Sequence, residues 1–140
     1  MSGERDLDTL LATMRPELVD GVHVFATVPD GEVAGLLATG LVPRMLFREA
    51  EGTTLILLRE EAERLALAHE FPCRMISLNV HSALDAVGFI ARVATALADK
   101  GMGVNPVSGF YHDHLFVPEG REAEAMEIFL LDSQTEVETQ

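Results

Sequence analysis

The stretch His112-Asp113-His114 concentrates side chains that could do chemistry, in a chain that has only five histidines. Alternate residues of a strand point to one face, so His112 and His114 could hold one metal ion, with His81 or Asp85 as a third ligand. No usual zinc spacing accompanies the pair, however. The same side chains could instead contact a small ligand, or only flank a turn that Asp113 favours. The pattern alone leaves these three interpretations open.

No arrangement of residues predicts catalysis. Cys73 and His69 are close in sequence, but Pro72 marks a strand entry and no third orienting residue is evident. The segment "GMGVNP" is not followed by the helix that a phosphate-binding loop requires. We therefore expect no enzymatic activity and no cofactor, and we expect Cys73 to behave as a small buried apolar side chain.

The charge of the chain excludes two classes of partner. Ten Lys and Arg residues stand against 23 Asp and Glu residues, which gives a net charge of −13. Both halves of the sequence are acidic, so nucleic acid and anionic membranes would be repelled. The start of the chain is charged where a signal peptide would be apolar, and there is one cysteine. We therefore expect a cytoplasmic protein.

The elements that must position these residues form a pattern that occurs twice. A short helix capped by Asp6 comes first. The first copy then begins with a strand over residues 21–29, rich in β-branched side chains. A helix of at most two turns follows, because glycines interrupt it. A hairpin turning at residues 49–52 and a helix over residues 59–70 complete the copy.

The second copy repeats that order with a stronger helix. Residues 74–80 alternate as a strand, and residues 84–101 carry an apolar stripe at helical spacing that Gly101 ends. A second hairpin turns near residues 111–114, and residues 120–131 form a last helix.

Each copy reads as strand, helix, strand, strand, helix, one strand short of a ferredoxin-like unit. The sequence therefore predicts an α+β fold in which tandem βαββα units form an antiparallel sheet with helices on one face. We assign residues 1–16 to an N-terminal helix, residues 17–70 to a first, degenerate unit, residues 71–131 to a second unit and residues 132–140 to a polar tail.

The second copy resembles an ACT domain, a small-molecule-sensing module of amino-acid metabolism, in the segment "LDAVGFIARVATALADKGMGVN". The whole chain is similar to small stand-alone bacterial proteins with two ACT-like units. Val87 stands where these modules commonly have proline, and the first copy lacks a convincing first helix. The residues that carry the resemblance are Asp85, Gly88, Leu97, Gly101, Met102 and Asn105.

In the fold that the resemblance implies, the third strand of a unit returns between the first two. The loop after Val80 and the second hairpin turn then meet at one end of the sheet. The start of the strong helix opens there with free N–H groups, which suit the carboxylate of an amino acid. Its ammonium would be suited by Asp85 or Asn79. Asp85 is also a candidate cap of the helix, as is Ser82. The predicted ligand site comprises Asn79, His81, Ser82, Asp85, Gly88, Tyr111, His112 and His114.

The resemblance also implies that a neighbouring unit shares the ligand, and Asn105 would be its contribution. The predicted function is that of a sensor or regulatory protein that binds a small metabolite, most simply an amino acid. Exposed sheet edges predict pairing within the chain or a homodimer. Two alternatives remain: a structural or interaction module with no ligand, and a metal-binding protein that uses His112 and His114. If Phe110 and Tyr111 leave a cavity open, the sensor is favoured. If they fill it, the first alternative is favoured.

Overall fold

A computed structural model of the chain describes the backbone of residues 2–139 and the side chains of residues 2–130. A single turn of 3-10 helix, Asp30–Glu32, precedes α2. The helices are α1 Leu7–Thr13, α2 Val33–Ala38, α3 Arg59–Arg64, α4 Phe89–Ala98 and α5 Glu122–Thr139. The strands are β1 Arg15–Val28, β2 Met45–Glu49, β3 Gly52–Leu58, β4 Glu70–Asn79, β5 Asn105–Ser108 and β6 Asp113–Pro118.

In the first copy the strands follow the order β2-β3-β1, and in the second copy they follow the order β4-β6-β5. Strand β3 pairs antiparallel with both β1 and β2, and β6 pairs antiparallel with β5. In each copy the third strand therefore lies between the first two, as expected for a ferredoxin-like unit. The predicted α+β fold of tandem units with an antiparallel sheet is confirmed. None of the described helices is long and apolar enough to cross a bilayer.

The chain divides into two compact units. We call Gly21–Cys73 the central unit, and Met1–Asp20 with Arg74–Gln140 the terminal unit. Helix α1, which the sequence analysis set apart, is grouped with the second copy in the terminal unit. The backbone of α5 extends through most of the predicted polar tail, whose last residue, Gln140, lies outside the described residues.

The core of the terminal unit lies between its three helices and one face of β4 and β6. One buried side chain from each element represents it: Leu10, Leu78, Val93, Leu115 and Phe129, each at most 2% exposed. The predicted apolar stripe of the strong helix is thus the face that α4 buries. Full burial of such side chains stabilises a fold by about 1.5–3 kcal/mol each.

The core of the central unit is smaller. Val24, Leu55 and Leu57 are buried beneath Ala62 of α3. Helix α2 contributes only partly buried side chains to this cluster, Leu36 among them. The predicted short helix and the first hairpin, with its turn between β2 and β3, are confirmed.

Two element boundaries differ from the predicted ones. Strand β1 begins six residues earlier than expected, at Arg15. Helix α3 ends at Arg64 instead of continuing to residue 70, because Ala66 adopts a left-handed conformation with φ of 54°. The N–H groups of Ala66 and Leu67 then bond back to the last turn of α3. This closure is a Schellman motif, which satisfies the last carbonyls of a helix.

Candidate ligand site

The site begins at the loop between β4 and α4, residues 80–88. The sequence predicts a helix from Leu84 with Asp85 or Ser82 as its cap, and this prediction is wrong. Gly88 is the N-cap, with φ of 93° in the left-handed region, and α4 starts at Phe89. Glycine adopts this conformation without the steric cost that a side chain would add.

Because Gly88 has no side chain, no side-chain oxygen caps α4. The first N–H groups of a helix have no partner within the helix and carry its positive dipole end. In α4 these groups belong to Phe89, Ile90 and Ala91. The start of α4 therefore offers hydrogen-bond donors to an anionic group.

The second part of the site is the hairpin of β5 and β6. Its turn spans residues 109–112 and is closed by a bond from Gly109 N to His112 O of 2.9 Å. The predicted turn at residues 111–114 is thus two residues too late. Asp113 and His114 belong to β6, where Asp113 is paired with Ser108 across the hairpin.

Asp113 ties the hairpin to the loop. Asp113 is 6% exposed, and its carboxylate accepts hydrogen bonds from two hydroxyl groups. Ser82 Oγ donates to Oδ2 over 3.0 Å, and Ser108 Oγ donates to Oδ1 over 2.5 Å. The predicted meeting of the loop after Val80 with the second hairpin is therefore observed, but through Asp113, which the sequence analysis treated only as a turn residue.

A cavity of about 240 Å³ opens between these parts. Its lining comes from three segments: Ser82, Ala83, Leu84 and Ala86 in the loop, residues 88–91 at the start of α4, and Ser108 and Asp113 in the hairpin. The cavity thus brings a buried carboxylate and uncapped helix N–H groups to one small space.

Comparison with known proteins identifies the family. A family model described as ACT domain matches residues 2–74, and a second model with the same description matches residues 70–130. The chain belongs to the ACT domain family. The resemblance stated from the second copy is confirmed, and the first copy is matched as well. No match is found among proteins with curated descriptions.

Solved structures agree with the ACT fold. The chain is 40% identical to a protein of unknown function from Vibrio cholerae, described as a possible transport protein; the match covers 91% of this chain and 96% of that one, with a TM-score of 0.81. A protein from Agrobacterium tumefaciens is 16% identical over 86% of this chain and 89% of that chain, with a TM-score of 0.66. The regulatory subunit of aspartate kinase from Thermus flavus is 13% identical over 85% and 95%, with a TM-score of 0.59. The last two show the fold alone.

Of the nine predicted site residues, Ser82 and Gly88 line the cavity, and the other seven are not part of its lining. Asn79 donates through Nδ2 to Glu17 Oε2 over 2.8 Å. Asp85 forms an ion pair with Arg5, with 2.9 Å between Oδ1 and Nε. Asn105 is exposed at the start of β5. The carboxylate that faces the cavity is Asp113 in place of Asp85.

His81 and Tyr111 lie beside the cavity in a small aromatic cluster. Their ring centres are 5.1 Å apart, and the Phe110 ring lies 5.0 Å from that of Tyr111. Phe110 and Tyr111 are 62% and 61% exposed, so they do not fill the cavity. The Nε2 atom of His81 is buried and has no hydrogen-bond partner among the described residues.

The rings of His112 and His114 lie next to each other in an edge-to-face arrangement. Their ring centres are 6.3 Å apart with an angle of 75° between the planes. His114 Nδ1 is hydrogen-bonded to Ser77 Oγ at 2.9 Å. Within residues 2–130, no three His, Cys, Asp or Glu side chains are grouped so that they could hold a metal ion.

An N-terminal segment, residues 3–5, is hydrogen-bonded to the loop, a contact that the sequence does not predict. Glu4 N donates to His81 O over 2.7 Å, and Ala83 N donates to Glu4 O over 2.8 Å. A Cβ on Gly3 would lie 2.7 Å from Ala83 N, too close for any side chain. The loop is therefore held by backbone hydrogen bonds to Glu4.

The central unit has a different kind of hollow, an open groove of about 680 Å³. Its lining includes Phe25, Met45, Glu49 and Glu70.

Cys73 of the central unit is buried, and burial raises the pKa of its thiol to about 12. A thiol that stays protonated at neutral pH is a poor nucleophile, in line with the expectation that Cys73 is structural.

Proposed function

We propose that this ACT protein is a regulatory protein that binds an α-amino acid in the cavity of the terminal unit and catalyses no reaction. The observation that carries the proposal is the buried carboxylate of Asp113 on the cavity wall. Its two hydrogen-bond donors, Ser82 and Ser108, are uncharged hydroxyl groups. Among the described side chains, no Lys, Arg or His forms an ion pair with it.

A buried charge is unfavourable unless it is paired. A carboxylate has about four acceptor positions on its two oxygens, and the serines use two. The remaining positions of Asp113 suit an ammonium group in the cavity. This group would supply the positive charge that the cavity wall lacks.

The opposite end of an amino acid is a carboxylate. The uncapped N–H groups of Phe89, Ile90 and Ala91 suit it, because a helix N-terminus offers donors and a partial positive charge. One ligand would then join the loop, the start of α4 and the hairpin. The buried, unpaired Nε2 of His81 is a further polar atom beside this ligand or its bridging water.

Regulation would follow from differential binding. A ligand that bonds to Asp113 and to α4 favours the closed loop over open forms, so the population shifts towards the closed form. The exposed aromatic pair Phe110 and Tyr111 lies on the same hairpin and would report that shift to a partner. We place the protein in the cytoplasm and expect a homodimer through the edge strands β2 and β5.

Calorimetric titration of the protein with the standard amino acids tests the proposal. At least one amino acid should bind, and Asp113→Asn should weaken it by roughly tenfold to hundredfold, the effect of losing a charged hydrogen bond. The matched control is Asp30→Asn in the central unit, because Asp30 also accepts from a hydroxyl, Thr53 Oγ1, at 2.7 Å. This control should bind as the unchanged protein does.

Thermal unfolding of both variants shows whether they are folded. If no amino acid binds to the folded protein, or if Asp113→Asn binds it unchanged, the proposal is wrong. Absence of binding would favour a structural or interaction module.

A further inference from the structure

The groove of the central unit lies on the face of its sheet that α2 and α3 leave uncovered. Val24 and Val28 of β1 pack with side chains of these two helices. Phe25 and Thr27 alternate with them along the strand and therefore point to the opposite face, where both line the groove.

The floor of the groove is apolar. The register of the sheet aligns Met45 with Ile56 and Ile56 with Phe25, so these three side chains form a row across β2, β3 and β1. Ile56 is 0% exposed, while Met45 and Phe25 line the groove together with Ala68. The accessible wall as a whole is more apolar than polar. An apolar ligand would therefore lose contact with water on this floor, which favours binding.

The polar side of the groove carries hydrogen-bond acceptors and negative charge. Thr54 Oγ1 donates to Glu49 Oε1 and so orients that carboxylate. His69 Nδ1 donates to Leu67 O over 2.9 Å, so Nε2 of the neutral ring is an acceptor. Glu70 is the second carboxylate of the lining. The described lining contains no Lys or Arg, and neither glutamate forms an ion pair within the described part of the chain.

One wall of the groove is held by an unusual backbone. Ala66 and Phe71 are the two residues other than glycine with positive φ in the described chain, at 54° and 57°. They bracket residues 68–70, which line the groove. The ring of Phe71 packs against that of Phe25, with 5.8 Å between their centres. Such backbone conformations cluster at sites that bind ligands, and here both flank the same wall.

We propose that this groove binds a primary amine that carries an apolar body, such as an arylalkylamine. The ammonium group lies beside Glu49 and Glu70, and the body lies on Phe25 and Met45. The Phe25 ring also attracts a cation through its π-face. The groove of about 680 Å³ is within the range of roughly 300–1,000 Å³ that is typical of sites for small molecules. This site is independent of the amino-acid site proposed for the terminal unit.

The charges select the sign of the ligand, while the apolar floor supplies most of the affinity. Glu49 and Glu70 are exposed, and ion pairs with exposed groups contribute little each. The net charge of −13 attracts cations and repels anions over a longer range. A ligand that also carries a carboxylate, as an amino acid does, is therefore disfavoured in this groove.

Titration of the full-length chain with 2-phenylethylamine, followed through its amide NMR signals, tests the proposal. The largest shifts should occur at residues 25–27 and 68–70. Three matched probes separate the contributions. 2-Phenylethanol lacks the charge and should bind roughly threefold to tenfold more weakly. Ethylamine lacks the ring and 3-phenylpropionate reverses the charge, and each should bind at least about tenfold more weakly.

A pair of double variants tests the two carboxylates. Glu49→Gln with Glu70→Gln should weaken binding of 2-phenylethylamine roughly threefold to tenfold, the effect of losing two exposed ion pairs. The control is Glu60→Gln with Glu63→Gln, which changes the net charge equally at two exposed positions of α3 outside the groove. This control should bind as the unchanged protein does. Thermal unfolding shows that both proteins are folded.

Three outcomes would overturn the proposal. The first is an absence of shifts at residues 25–27 and 68–70. The second is that the largest shifts occur at residues 82–91, which would assign the amine to the cavity of the terminal unit. The third is equal weakening by the two double variants, which would reduce the effect to the net charge of the chain.

Discussion

The two units follow the same order of elements, yet the segment after the first strand differs between them. In the terminal unit a long loop leads to the ten-residue α4, which buries Phe89, Val93 and Leu97. In the central unit a turn of 3-10 helix leads to the six-residue α2, which has no fully buried residue. The corresponding segment is thus a well-packed helix in one unit and a short surface helix in the other.

Burial distinguishes the two segments as candidate ligand sites. A helix start can hold a ligand only if packing fixes its position, and α4 is fixed by three core side chains. The carboxylates differ in the same way, since Asp113 is 6% exposed while the side chain of Asp30 is 52% exposed. A solvated carboxylate has water as its partner and requires no ligand. The difference between the units is therefore one of burial more than of residue type.

The largest expected effect tests whether the two cores unfold together. Phe129→Ala removes a buried ring from the terminal unit and should lower the free energy of unfolding by about 3–5 kcal/mol. Leu57→Ala in the central unit should cost about 2–5 kcal/mol. Urea unfolding followed by circular dichroism measures both losses, and the rate of thiol labelling at Cys73 reports opening of the central unit.

If the units form one cooperative structure, Phe129→Ala will also accelerate the labelling of Cys73. Unchanged labelling in a clearly destabilised Phe129→Ala protein would show that the units unfold separately. The comparison between them would then extend to their stability.

A pair of glycine substitutions should act with opposite sign in the two units. Gly88→Ala forces a side chain to adopt φ of 93° and should destabilise the protein by about 1–2 kcal/mol. Gly35→Ala lies within α2 with no atom near its Cβ, and should stabilise the protein by about 0.5–1 kcal/mol. Chemical denaturation measures both. A neutral Gly88→Ala protein would contradict the left-handed cap that places α4.

A smaller effect on overall stability is expected from the N-terminal segment. Gly3→Ala would place a Cβ 2.7 Å from Ala83 N, so the segment should detach and cost about 1 kcal/mol in lost backbone hydrogen bonds. Its main consequence should be faster hydrogen exchange at the amides of Glu4 and Ala83. Gly40→Ala in the central unit is the control, since Gly40 also has positive φ but nothing near its Cβ. Equal exchange at Ala83 in both variants would disprove the role of Gly3.

The smallest effect concerns pH and the central unit. Burial raises the pKa of Cys73 from 9.0 to about 12, so the folded state keeps its proton when the unfolded state has lost it. The resulting stabilisation is complete below pH 9 and is lost as the pH rises from 9 towards 12. The urea midpoint should therefore fall between pH 8 and pH 10, and less so in Cys73→Ala. An identical fall in both proteins would assign it to other groups.

The sequence predicts the order of the elements because hydrophobic periodicity and turn residues are local signals. The position of the first hairpin turn and the short α2 follow from these signals. The start of α4 does not, because Asp85 has the residue type of a cap and only the backbone conformation identifies Gly88. The sequence pattern also fails to indicate the early start of β1, because the first residues of this strand include polar residues and a proline.

The meeting of the loop and the hairpin at the candidate site could be predicted from the sequence, but the residues that line the cavity could be predicted only in part. Because the third strand of the copy lies between the first two, the loop and the hairpin meet at one end of the sheet, as expected. Asp113 could have been found, because it alternates with Leu115 and Val117 and so lies on their buried face of β6. The partner of Asp85 could not, since Arg5 is 80 positions away in the chain.

The backbone bridge between Glu4 and the loop connects residues 3–5 directly to the wall of the cavity. A bulky fusion or affinity tag joined ahead of Gly3 would disturb the hydrogen bonds to residues 81–83. Ser2 is exposed and two residues from the bridge. A fluorescent dye attached there would respond when the loop rearranges, even without knowledge of the ligand.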